Sequence, residues 1–195
     1  MARSEATDRI AREAARLLEG GKIARLDEAI RKAADVLKLG AVRLPTHGHV
    51  RRHVQGMAMQ AMGAEAYAQE VRDIWRQAEE IMTILEDWGP VLNGRAAKGL
   101  IDAGVTLHIK IFMKRRIGEA AQRLEDFGCD EGEFGTAETA YGRFERLRFI
   151  DEGREVIVTR CAEHQRELAG VDLFTRKPVE TMGLAELRQR LASEN

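Results

Sequence analysis

The stretch Val91-Leu92-Asn93-Gly94-Arg95-Ala96-Ala97-Lys98-Gly99-Leu100-Ile101-Asp102-Ala103-Gly104-Val105-Thr106-Leu107-His108-Ile109-Lys110-Ile111-Phe112 is where the chain changes period. Val105, Leu107, Ile109 and Ile111 alternate with Thr106, His108 and Lys110, the two-residue repeat of a half-buried strand. Such a strand turns His108 and Lys110 to one side and its aliphatic residues to the other.

Upstream the spacing is helical. Ile10, Ala14, Leu17 and Leu18 make one stripe, closed by Gly20-Gly21, and Leu26, Ile30, Ala33 and Leu37 make a second, closed by Gly40. Pro45-Thr46 opens a third helix with Thr46 as its N-cap and Val50, Val54, Met57 and Ala61 as its stripe. Gly63 separates it from a fourth, where Tyr67, Val71, Ile74, Trp75, Ala78, Ile81, Met82 and Leu85 recur at three and four residues. Four amphipathic helices with short links predict a helical bundle or arm over residues 1–88.

Downstream, Ile117, Ala120, Ala121 and Leu124 predict a helix ending at Gly128, and the Gly/Asp/Glu/Thr-rich segment to Gly142 reads as loop or weak edge strand. Arg146-Leu147-Arg148-Phe149 and Arg154 to Val158 form a hairpin around Asp151-Glu152-Gly153, and Leu184, Leu187 and Leu191 mark a terminal helix. The expected fold is α+β: helices over 1–88, then a small mixed sheet with flanking helices over 89–195.

The 195 residues are 44% hydrophobic and 5% aromatic, enough for a real core without metal or disulfide. Thirty-one Lys+Arg against thirty-two Asp+Glu leave a net charge of −1, so no global field draws the chain to nucleic acid or membrane and any such partner needs a local patch. Cys129 and Cys161 form no Cys-x-x-Cys, which excludes a disulfide framework and a cysteine zinc site and makes a reducing cytosol the expected location. With no long apolar run, no membrane partner is expected.

The Val91–Phe112 layout resembles the signature of the polymerase-β-type nucleotidyltransferase superfamily. There a short strand leads to a Gly-Ser or Gly-Gly turn opening a helix, and about a dozen residues later a strand carries two carboxylates in acidic–apolar–acidic order. The turn cradles a triphosphate, and the alternate strand residues hold two magnesium ions against it. Gly94-Arg95 falls on the turn and His108-Ile109-Lys110 on the metal-binding pair. The downstream helix, the Arg-rich hairpin from Phe144 to Val158, the tail Val171 to Glu180 and the Leu44-Pro45 step are similar to a nucleotidyltransferase-like group of bacterial and phage proteins. The departures are equally plain. Lys110 puts a positive charge where a hard cation needs a carboxylate, Arg95 replaces the small turn residue, and no acid lies on the Val156–Thr159 strand. The resemblance implies a fold that keeps phosphate binding and has lost magnesium-dependent transfer. Arg95, His108 and Lys110 would contact the anion, with Lys114 and Arg116 beside them. An ordinary αβ unit with a polar strand face is the plainer reading of the same residues.

Between Val36 and Ala64 the chain has no acid. Arg43, His49, Arg51, Arg52 and His53 in that window form a candidate patch for phosphate or an acidic protein surface, set against a solvated helix face. His49 and His53, one helical turn apart, are also half of a metal site, but no carboxylate in the segment completes it and no metal is assigned. Lys114-Arg115-Arg116 precede a helix, where anions are favoured, and Arg143, Arg146 and Arg148 add charge from the hairpin. Glu119, Glu145 and Asp151 balance them in the alternative reading. The leading expectation is a non-catalytic protein, without catalytic residues or cofactor, that binds a phosphate-bearing ligand, such as a nucleotide, or nucleic acid. Two others stand beside it: an adaptor or inhibitor working through the basic patch, and a divergent enzyme in which Asp102 and Glu155 hold the ions.

Overall fold

The computed structural model describes residues 2–21, 23, 25–39, 42–101 and 105–193. They form two compact units: one runs to Ala68 and includes Ile101, and the other comprises 69–100 and the residues from 105 onward. The division falls inside a helix, at Ala68/Gln69, where the sequence reading placed it at residue 88.

In the first unit, α1 (Ala2–Glu19), α2 (Leu26–Leu37) and α3 (His47–Met62) share a single core. Alanines dominate it: Ala11, Ala14, Ala15, Ala29 and Ala33 are fully buried, and Ile10, Ile30, Val50 and Val54 are the larger buried side chains packed with them. The ends follow local chemistry. The Thr46 hydroxyl accepts the His49 N–H at 3.2 Å as the expected N-cap. α2 stops with Lys38 in the left-handed region; the expected stop at Gly40 lies outside the described residues. Met57 packs against this core and Met59 faces out, while Ala61 is exposed because the third stripe outruns the core it serves.

The second unit contains α4 (Ala64–Ile84) from Gln69 onward, a six-stranded mixed sheet, α5 (Gly118–Asp126) and α6 (Leu184–Ser193). The strands are β1 (Val91–Asn93), β2 (Leu107–Phe112), β3 (Glu133–Thr139), β4 (Gly142–Asp151), β5 (Arg154–Cys161) and β6 (Thr181–Gly183), in the order β3-β4-β5-β2-β1-β6. β2 and β5 pair in parallel and every other neighbour is antiparallel. The segment left open as loop or weak strand is β3, at the sheet edge and mostly exposed. One face of the sheet is aliphatic and buried through Leu92, Leu107, Ile109, Ile111, Val156 and Val158, and the α4 stripe from Val71 to Met82 is buried as well, with Leu85 just past its end. Gln77 and Glu70 of α4 bind the β4–β5 turn through Asp151 and Arg154. Both cysteines are free thiols. Among the described residues no helix is long and apolar enough to cross a membrane.

Ile109, 1% exposed in the central strand, carries this core. Ile109→Ala is expected to cost about 2–4 kcal/mol in urea unfolding, against less than about 1 kcal/mol for Ile150→Ala, a position 50% exposed.

Candidate functional site

Strand register builds the site. Val91, Lys110, Thr159 and Arg146 form one row across the sheet, and Asn93, His108, Ile157 and Arg148 form the next. Residues in register share a face, so the polar members of both rows open on the side opposite the aliphatic core. One end of that side is closed by Phe112, Phe144 and Cys161 packing on Leu168 and Leu173. The other end stays open beneath a loop that pairs Val171 with Pro178 and ties the Asp172 N–H to the Lys177 carbonyl at 2.8 Å. Between loop and sheet lies a cleft of about 160 Å³ with Asn93, His108, Lys110, Thr159 and Arg146 as its floor and Asp172 and Phe174 in its wall.

Lys110 is 7% exposed. An ammonium has three donors, and all are spent on main-chain carbonyls: Leu168 at 2.7 Å, Ala169 at 3.2 Å and Val171 at 2.6 Å. Burial holds its pKa below the ordinary lysine value, opposed by Cys161 and Asp172 nearby. Lys110 thus clamps residues 168–171 over the sheet. Among the described residues no carboxylate pairs with it, so its charge is hydrogen-bonded without being neutralised.

Arg146 is the opposite case. Its Nε is buried without a hydrogen-bond partner, and its guanidinium lies 5.0 Å from the Phe174 ring. Among the described residues it makes no side-chain hydrogen bond or ion pair. Asn93, 6% exposed, donates through Nδ2 to the Ala169 carbonyl at 3.0 Å, and among the described residues nothing donates to its Oδ1. Buried polar atoms of this kind are rare unless something from outside completes them. Asp172 is occupied: its Oδ1 accepts the Phe174 and Thr175 N–H groups at 2.9 and 2.7 Å. Burial works against its ionised form, but the bonds from Thr175 and Phe174 and the Lys110 charge hold its carboxyl below the usual value. The cleft therefore carries two cations against one carboxylate.

Of the residues chosen from sequence, His108 and Lys110 line this cleft, while Arg95, Lys114 and Arg116 do not. Arg95 is half-buried on the run of turns after Gly94, which forms no helix. Lys114 pairs with Glu163 at 3.3 Å, and Arg116 is exposed. Asn93, Thr159 and Asp172 belong to the site without having been singled out, and Arg146 belongs to it rather than to a diffuse hairpin charge. In the basic patch Arg43, Arg51 and Arg52 are exposed, but His49 and His53 both turn to Asp8 of α1 at 2.9 Å. Of the alternative acids, Asp102 lies outside the described residues. Glu155 accepts from the Thr106 hydroxyl at 2.8 Å and pairs with Arg148. With an ammonium and a guanidinium in the cleft, these residues do not fit a magnesium pair. Compared with protein-family models, curated proteins and solved structures, the chain matches none.

Two outcomes follow. Lys110→Met removes one donor from each of three carbonyls, of which Ala169 keeps Asn93 and Leu168 keeps the Val171 N–H, and should cost about 1–3 kcal/mol in urea unfolding, with no loss expected of the β2–β5 pairing itself. His108 is exposed and lines the cleft. Desolvation first, then the Arg146 charge, hold its imidazole below the ordinary 6.5, with Glu155 and Asp172 acting the other way. The folded state then binds fewer protons than the unfolded one between that lowered pKa and 6.5, so stability rises with pH across this window. Thermal melts of the native chain should show that slope, and His108→Gln should remove it.

Proposed function

We propose that this chain is a non-catalytic binding protein whose cleft takes the phosphate group of a small ligand. In this reading the second unit is a nucleotidyltransferase-like domain that has lost its metal acids, preceded by a helical bundle. The observation that carries it is the Arg146 guanidinium, half-buried in the cleft against the Phe174 ring and, among the described residues, without a side-chain hydrogen bond or ion pair. A guanidinium presents a planar fork of donors matched to phosphate oxygens. The Lys110 ammonium adds positive potential from the floor in a site poorly screened by water, and the Thr159 hydroxyl adds a further donor in the same row. The free Asn93 Oδ1 suits a ligand hydroxyl.

The nucleotidyltransferase-like part rests on placement. Gly94 takes a positive φ of 77° directly after β1. His108 and Lys110 share the cleft face of β2, and Thr159 lies beside Lys110 where a third acid would be sought. All three positions converge on one cleft, and none is a carboxylate. The bundle part rests on the single core shared by α1, α2 and α3. A volume of about 160 Å³ suits a phosphate and its first substituent better than the backbone of a polynucleotide.

Calorimetric titration with inorganic phosphate and with a nucleoside triphosphate, each with and without magnesium, tests the reading. Binding is expected in both conditions, weakened about tenfold or more by Arg146→Gln and strengthened below the ordinary histidine range as His108 gains a proton. Turnover that requires magnesium would overturn the non-catalytic assignment, and an absence of binding to any of these probes would overturn the pocket.

A further inference from the structure

The first unit holds a second constellation that the cleft does not use. His49 and His53 stand one turn apart on α3, with ring centroids 5.4 Å apart and planes 30° from parallel. Both direct Nε2 at the same atom, Oδ1 of Asp8 on α1, at 2.9 Å each. The other oxygen, Oδ2, accepts from Arg12 at 2.8 Å. One ligand atom from each of the three residues lies within 4.8 Å of the other two, and among the described residues no other set of three His, Cys, Asp or Glu side chains does so. The side chains are 25%, 25% and 34% exposed, which leaves the cluster reachable from water.

We propose that Asp8, His49 and His53 form a binding site for a first-row transition dication of the zinc class, held by two Nε2 atoms and one carboxylate oxygen with a fourth position open to water. The donor set selects the ion: imidazole nitrogen suits zinc and its neighbours, whereas calcium and magnesium require oxygen ligands throughout. The geometry is already close. A tetrahedral ion at about 2.0–2.1 Å spaces its ligands about 3.3 Å apart, so the 2.9 Å separations need to widen by only a few tenths of an ångström.

Without an ion, each imidazole presents its Nε2–H to Asp8. Binding exchanges two N–H···O bonds for two nitrogen–metal bonds, and each neutral ring then carries its proton on Nδ1. Arg12 supports the site from outside by fixing Oδ2, which aims Oδ1 between the two rings. An ion there cross-links α1 to α3, two helices whose shared core is built mainly of alanine, so loading is expected to stabilise this unit in particular.

The test uses the full chain, free of any polyhistidine tag and stripped with chelator. Calorimetry with zinc chloride should show one ion per chain, cobalt should give the visible bands of a tetrahedral N/O site, and saturating zinc should raise Tm by about 5 °C or more. His49→Gln and His53→Gln should each weaken zinc binding by about tenfold to a hundredfold with helical circular dichroism intact. His47→Gln, altering a histidine bonded instead to Asp27, should leave it unchanged. Asp8→His, which keeps three ligands, should retain binding and guards against a folding defect in the glutamine variants. A native chain that binds no stoichiometric zinc, or His49→Gln and His53→Gln variants that bind as tightly as the native chain, would overturn the proposal.

Discussion

One buried ammonium organises the cleft face of the sheet. Lys110 sits in the central row of β2 with no carboxylate to neutralise it among the described residues, and removing such a charge from water costs several kcal/mol. Its return is three hydrogen bonds to carbonyls of residues 168–171, two of them short. Those carbonyls belong to a segment that makes no ladder with the sheet beneath it, so the lysine, helped by Asn93 at the Ala169 carbonyl, acts as its anchor. Once residues 168–171 are held down, the small Val171–Pro178 pairing and the Asp172 turn project over the sheet, and a cleft remains between loop and strand. Anchor and cleft are consequences of the same side chain.

This division of labour separates the two cations. Lys110 spends its donors on the protein and contributes its charge, whereas Arg146 keeps its donors and faces the cleft across Thr159. Lys110 is thus a structural clamp, and in the proposed function anion recognition falls to Arg146 on the hairpin. That arrangement is consistent with binding in place of metal-dependent transfer, since an ammonium at the centre of the floor opposes any dication there.

Much of the fold was legible because its signals are local. Thr46, Gly63 and the apolar stripes placed α1 to α4 closely, and alternation placed β2 and the β4–β5 hairpin. The edge strand β3 stayed undecided because five of its seven residues are exposed and an edge needs little apolar patterning. At the site, alternation alone put His108 and Lys110 on one face. Thr159 and Arg146 join them only through the register of strands distant in sequence, and Asn93 only through β1 pairing beside β2. The carbonyls that occupy Lys110 have no sequence signature, since every residue carries one. Likewise the acid that meets His49 and His53 comes from α1, about forty residues upstream, where no spacing rule within α3 could reveal it.

The account turns on the state of the Lys110 ammonium, which nitrogen-15 NMR can observe directly. A side chain held by three carbonyls should give a resolved ammonium signal at neutral pH with slowed hydrogen exchange, unshifted when phosphate is added while the Arg146 Nε–H resonance moves. An ammonium that exchanges as fast as surface lysines, or that responds to phosphate while Arg146 does not, would contradict the clamp and the assignment of anion recognition built upon it.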